Sequence, residues 1–553
     1  MRHHRRHPGG STVSARPWWR DAVIYQVYPR SFADANGDGL GDLPGIISRL
    51  AYLAALGIDA IWVSPFYTSP QHDAGYDVAD FRDVDPRFGN LADADALIAG
   101  AHERGLKVLF DIVPNHTSSE HRWWQEVLRS GPGSEAWDRY IIRASDDGPP
   151  NNWNSIFHGP AWSKLVTADG VDTGYWYLHL FDSTQPDVNW ENDEVREEFA
   201  DILRFWFDRG VDGFRIDVAH GMVKDPALPN VDYAKMRQAE LLGSSPEAPY
   251  WDQEGVHDIY REWRRIADSY DPPRIFCGET WAPSPERLAL YQRPDELHTS
   301  FNFDYLKASW DRQAVQRSVA NTLLHHAKVG APPTWVLSNH DVVRHRTRLA
   351  PGFYPQDRHC RPDEVRGLAR ARALTLFTLA LPGSTYLYQG EELGLVEVFD
   401  IPDAAREDPA WHRSQGEDLG RDGCRVPLPW SGDAPSYGFN SGTASWLPQP
   451  PSWATLCAQA QDGLGDSTLE FYRAALRLRR ARSLGESALE WWDTDGDLLA
   501  FRRASDTPLM CVINFGDAPA ILPSGTVEIA SMADAVTADH LLAGESCIWM
   551  TPS

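Results

Sequence analysis

Four apolar runs in this chain end abruptly in charged or imidazole side chains. Lys107 to Val113 carries Asp111 and leads into Asn115 and His116; Gly213 to Val218 carries Arg215 and Asp217; Arg274 to Glu279 ends in its carboxylate; Thr334 to Asn339 leads into His340 and Asp341. Any one of these alone reads as a structural salt bridge. Together they read as a reaction centre, because bunched like charges repel and ionised groups are costly to desolvate. Two carboxylates can divide the work of breaking a glycosidic bond: one attacks the anomeric carbon while the other protonates the leaving oxygen. Arg215 precedes Asp217 by two residues and so shares its strand face, where its charge would keep that carboxylate ionised. Glu279 would instead carry the proton to be donated.

Such residues converge only if the runs that bear them are neighbouring strands. Eight short β-rich runs are expected: Ala22 to Pro29, Ala60 to Pro65, Lys107 to Val113, Gly213 to Val218, Arg274 to Glu279, Thr299 to Phe303, Thr334 to Asn339 and Ser384 to Tyr388. Amphipathic helical stretches alternate with them, including Leu43 to Leu56, Leu91 to Arg104, Glu194 to Arg209, Val256 to Tyr270 and Glu364 to Leu381. Eight β/α pairs predict an α/β chain closed into a (β/α)8 barrel, whose chemistry gathers at the carboxyl ends of the strands. The barrel is assigned residues 18–113 and 191–485. Residues 114–190, rich in Gly, Pro, Asn and Trp, break the rhythm and predict an inserted subdomain after the third strand. Residues 486–553 carry short alternating segments and predict a C-terminal antiparallel β-sandwich domain. The basic residues 1–17 read as a disordered tail with no apolar core of a signal peptide.

The strand-end motifs, with Gln185-Pro-Asp187-Val-Asn189-Trp190 late in the insert, resemble the signature of the α-amylase family of glycoside hydrolases, in its oligo-1,6-glucosidase and α-glucosidase branch. The resemblance runs from about Trp18 to the C-terminus. It implies Asp217 as nucleophile, Glu279 as general acid/base and Asp341 as the third carboxylate, which grips sugar hydroxyls. It further implies a glucose pocket of His116, His340, Arg215, Asp73 and the stacking Tyr76. The segment Gly420-Arg421-Asp422-Gly-Cys-Arg425 resembles one whose arginine pairs with that aspartate; Arg421 is assigned, with Arg425 the alternative. Phe157, Phe181 and Gln185 are lining candidates, with plain packing an equal reading for the two phenylalanines.

The implied activity is a retaining exo-α-glucosidase acting on maltose and short oligosaccharides. An α-1,6 preference, transglucosylation or a trehalose-forming isomerisation would use the same residues, and a catalytically inactive partner subunit would be expected to lack the three carboxylates. Val218 is the residue type that accompanies α-1,6 preference in this branch, whereas Asn339-His-Asp-Val342-Val343-Arg344 looks more like α-1,4-glucosidases.

Asp34-Ala-Asn36-Gly-Asp38-Gly-Leu40-Gly-Asp42 sets oxygen side chains at alternating positions, which suits Ca2+ or Mg2+. The resemblance implies a structural Ca2+ here with the Leu40 carbonyl as a further ligand; a metal-free Asx-turn loop is the alternative. Lys+Arg 52 against Asp+Glu 78 gives a net charge of −26, which argues against nucleic acid and anionic membrane partners. The six scattered cysteines show no CxxC spacing, so free thiols in a reducing cytoplasm are expected. The 23 Trp fit a sugar enzyme, whose flat rings match pyranose faces, though most would pack the core.

Overall fold

The computed structural model describes residues 16–241, 247–355, 357, 359–442, 444–486, 488–504 and 508–553, so most of the expected tail lies outside the described residues. Eight parallel strands form the central sheet: β1 (Val23–Val27), β2 (Ala60–Val63), β3 (Lys107–Ile112), β4 (Gly213–Ile216), β5 (Ile275–Gly278), β6 (Thr299–Ser300), β7 (Thr334–Val336) and β8 (Ser384–Tyr388). Their order, β6-β5-β4-β3-β2-β1-β8-β7, is that of a nearly closed (β/α)8 barrel. Every strand is buried on both faces save for Lys107 at one tip, which explains why the runs are continuously apolar rather than alternating.

The seam between β6 and β7 is where the observed elements depart most from expectation. Thr299 to Phe303 was expected to be strand, but Asn302 accepts a hydrogen bond from the Tyr305 backbone N–H and caps the helix Phe303–Leu306, so β6 stops at Ser300. Arg348 reaches across the seam, donating from Nη2 to the carbonyls of Leu306 and Leu337. Elsewhere the expected helix from Leu43 to Leu56 divides at Arg49 into Leu43–Ser48 and Leu50–Leu56.

Between β3 and β4 the insert contributes the helix Arg122–Arg129 and a three-stranded antiparallel sheet, Ile142–Ala144, Trp162–Val166 and Asp172–Leu178. Bridges from His116 to Asp187 and from Tyr140 to Val188 draw its two ends together over the barrel. A five-stranded antiparallel C-terminal sheet packs on the helix Glu364–Leu379, where Phe377 meets Phe501 edge-on and the Trp549 indole donates to the Leu376 carbonyl. All six cysteines are buried and free. Among the described residues no helix is long and apolar enough to cross a membrane.

At the amino ends of the strands a single buried side chain gathers the chain. Arg479 donates to the carbonyls of Leu379, Leu381, Asp21 and Gly383. An Arg479→Met variant leaves these acceptors unpaired and should lose roughly 2 to 4 kcal/mol of stability. Denaturant unfolding measures this, and turnover by the folded fraction should be unchanged, because the carboxyl ends of the strands lie at the far end of the barrel.

Candidate active site

Strand register brings the expected residues together. Arg215 on β4 stands opposite Asp111 on β3 and Cys277 on β5. Asp217 and Glu279 lie one residue beyond their strands but still extend the ladder, the Asp217 N–H donating to the Ile112 carbonyl and the Glu279 N–H to that of Ile216. One guanidinium, 1% exposed, holds three carboxylates: Nη1 donates to Asp111 at 3.0 Å and to Asp217 at 2.7 Å, and Nη2 to Glu279 at 2.5 Å. Gly213 permits the close pairing of β4 with the start of β5, since a Cβ there would stand 2.5 Å from the Ile275 carbonyl oxygen.

A second arginine organises the loops above. Arg421 pairs with Asp73 at 2.7 Å, Asp341 at 3.2 Å and Asp408 at 2.6 Å. Arg425 turns instead to the His340 carbonyl and to Asp341. Tyr76 stacks on His340 with centroids 5.2 Å apart and an angle of 6°, and its hydroxyl donates to Asp111. Gln185 donates to Asp73, and Phe157 lies under the Arg421 guanidinium. A cavity of about 1130 Å³ is lined by Asp73, Tyr76, His116, Phe157, Phe181, Asp217, Glu279, His340, Asp341 and Arg421. Arg215 and Gln185 stand behind its wall.

The sequence and structure comparisons agree on the kinship. The alpha amylase catalytic domain model matches residues 26–486. The chain belongs to the α-amylase family. A probable alpha-glucosidase of Rhizobium meliloti (strain 1021) is 39% identical over 521 residues, 91% of this chain and 90% of its own. An oligo-1,6-glucosidase of Parageobacillus thermoglucosidasius is 36% identical over 500 residues, covering 85% and 84%. The solved α-glucosyl transfer enzyme XgtA superposes with a TM-score of 0.84 at 36% identity, over 97% of this chain and 100% of that one. This member of the α-amylase family is thus a glycoside hydrolase of α-glucosidase type.

Charge in the α-amylase family site is distributed unevenly. Burial pushes the Asp217 carboxyl well up; Arg215 pulls it back, and the charges of Glu279 and Asp111 add to the rise. Asp111 is raised to about 7 by burial against the same guanidinium. At Asp217 and Asp111 alike, burial works against the pull of the Arg215 cation. Burial also opposes ionisation of Asp341, yet the His340 ring nitrogen 3.3 Å away and the Arg421 and Arg425 cations favour the carboxylate and hold it well below the usual range. Burial lowers His116 to about 4 and His340 further, so both imidazoles are neutral donor-acceptors at neutral pH, as hydroxyl binding requires.

Three contributors have parts in the site that the sequence reading did not assign. Asp408 caps the short helix Pro409–Arg413 and also fixes the Arg421 Nε. Asp111 was visible as a strand-end acid but had no assigned role. Val218 adopts φ 44°, a conformation β-branched residues avoid, and its N–H donates to Glu279.

In the acidic loop, Asp34 accepts from the N–H groups of Gly37 and Gly39 and from Asn440, Asn36 from Asp38, Asp38 from Leu40, and Asp42 from Ala35, Asn36 and Gly45. Among the described residues no three His, Cys, Asp or Glu side chains converge as a metal cluster. The donor chemistry is nevertheless all hard oxygen, although Asp34 Oδ2 and both Asp42 oxygens each already accept two N–H donors.

Burial raises Asp73 to about 6, against the pull of Arg421 and Arg425. Above that pH the carboxylate is ionised and its pair with Arg421 is intact; as the pH falls through it the carboxyl takes up a proton and the pair weakens. The kcat/KM profile should carry a decline at that position. Asp73→Asn should remove this component and raise KM by about one to two orders of magnitude above neutrality, the usual consequence of truncating a buried charge pair. A variant profile that keeps the same component would assign it to another group.

Proposed function

We propose that this chain is a retaining, exo-acting α-glucosidase that releases α-glucose from the non-reducing ends of maltose and short α-glucooligosaccharides. Asp217 attacks the anomeric carbon, Glu279 protonates the leaving oxygen and then activates water, and Asp341 with His116 and His340 binds ring hydroxyls. The observation that carries this reading is the suspension of Asp217 and Glu279 from one guanidinium. Sharing that cation holds the two groups close together, which favours direct attack over an interposed water. The exo mode is supported by Arg421, which fastens Asp73, Asp341 and Asp408 at one end of the cavity and so limits it to a terminal sugar. Val218 and the oligo-1,6-glucosidase relative favour a second reading, cleavage of α-1,6 links. Initial rates on maltose, isomaltose, sucrose and trehalose side by side, with product analysis from maltose alone, separate hydrolysis of either linkage from transglucosylation. The free, buried thiols support action in a reducing compartment.

Asp217→Asn should fold and retain less than about a hundredth of wild-type turnover, since an amide cannot form the glucosyl intermediate. Proton NMR of fresh hydrolysate should show α-glucose first; β-glucose as the first product would overturn the mechanism.

Asp34, Asn36, Asp38, the Leu40 carbonyl and Asp42 are proposed to hold a structural Ca2+, which would contribute stability and no chemistry. An ion bound only by the folded state raises the melting temperature with its concentration. Chelation should lower that temperature more than it lowers activity, and indifference to both chelator and added calcium would leave the loop to its backbone hydrogen bonds.

A further inference from the structure

Glu279 has one oxygen engaged by Arg215 and the Val218 N–H. The other accepts a hydrogen bond from the indole Nε1 of Trp281 at 3.2 Å. Trp281 follows Glu279 by two residues and lines the cavity, with 36% of its surface exposed. Despite that exposure its ring is pinned. Phe303 stacks on it with centroids 3.8 Å apart and an angle of 11°, and the Lys307 ammonium lies 4.1 Å from its centroid. Phe303 opens the short helix capped by Asn302, so the stack is anchored to the element that ends β6.

A carboxyl group rotates softly about its last torsion, and donors on one oxygen alone leave that rotation to be decided by the second. We propose that Trp281 is a positioning residue for Glu279: its N–H, held in place by the stack with Phe303, fixes the carboxyl plane so that the proton is presented to the leaving oxygen. The proposal rests on Glu279 being the acid/base. It gives the aromatic pair a task beyond that of a pocket wall, since a leaving sugar resting against the stack would bear on the group that must protonate it. The same N–H favours the ionised carboxylate that must activate water in the second half of the reaction.

Trp281→Phe keeps a ring on Phe303 and removes the donor. For maltose its kcat/KM should fall about ten- to a hundredfold, the scale of impaired proton transfer. Formation of the glucosyl intermediate from an aryl glucoside with a nitrophenolate leaving group should stay within about twofold of wild type, because that leaving group needs little protonation. The alkaline limb of the maltose profile should move to higher pH, since loss of an N–H donor disfavours the ionised acid. Phe303→Leu, which keeps the donor but loosens the ring, should show the same pattern more weakly. Equal losses on both substrates with an unmoved alkaline limb would overturn the proposal and leave Trp281 as wall. Glu279→Gln separates the two readings: if it too loses both substrates equally, Glu279 is not the acid; if it spares the aryl glucoside while Trp281→Phe does not, only the role of Trp281 falls.

Discussion

The buried guanidinium of Arg215 is the interaction on which the rest depends. Removing a charge from water is costly, and here one cation is set against three carboxylates while its own Nε is left without a partner. A fold selected for stability alone would fill this place with apolar side chains. What the arrangement provides is a set of carboxylates whose positions are fixed in advance, as the proposed reaction requires around an anomeric carbon that becomes positive in its transition state. The strand register is then constrained: Asp111, Arg215 and the β5 end must stay level, because a slip of one residue would turn Arg215 and Asp217 to the opposite face. The face of the Trp62 ring, 5.0 Å from the guanidinium carbon, adds a further partner for the cation.

Arg421 repeats the device in the loops, with a different consequence. Arg215 joins three adjacent strands and sits in the rigid part of the molecule, whereas Arg421 ties together segments following β2, β7 and β8. Its three acids differ in state: Asp341 is held ionised by its neighbours, Asp408 is also lowered, and Asp73 is lifted by burial. The two networks meet at Tyr76, whose hydroxyl donates to Asp111 below while its ring stacks on His340 beside Asp341. The Tyr76 side chain is thus in touch with both.

How much of this could be read from the sequence follows from where each residue sits. Asp217, Glu279 and Asp341 interrupt apolar runs at the places where a parallel barrel exposes its strand ends, so fold and site were legible from the same pattern. The Phe303–Leu306 helix was hidden because its residues continue an apolar run and only the capping by Asn302 distinguishes helix from strand. Asp408 was hidden for a different reason: before Pro409 it reads as an ordinary helix N-cap, and nothing near it announces that Arg421 will be its partner. The choice of Arg421 over Arg425 came from resemblance, since two arginines four residues apart are indistinguishable by type. Strand spacing reveals the cation beside Asp217, whose pull is present, but not the burial that opposes it.

Val218 shows how backbone and chemistry become one problem at the end of β4. A β-branched residue at positive φ costs on the order of 1 to 3 kcal/mol and persists only where its surroundings over-determine it. Those surroundings are visible: the N–H of Asp217 continues the ladder to Ile112, that of Val218 donates to the Glu279 carboxylate, and that of Ala219 donates to the Glu279 backbone carbonyl. Three successive donors thus serve first β3 and then β5, and the chain must change direction between the first and the third. The strained residue is the one that makes this turn. Relaxing it into an extended conformation would redirect the Val218 and Ala219 N–H groups together, leaving Glu279 with fewer donors to hold it beside Asp217. The strain is therefore tied to the spacing of the two carboxylates.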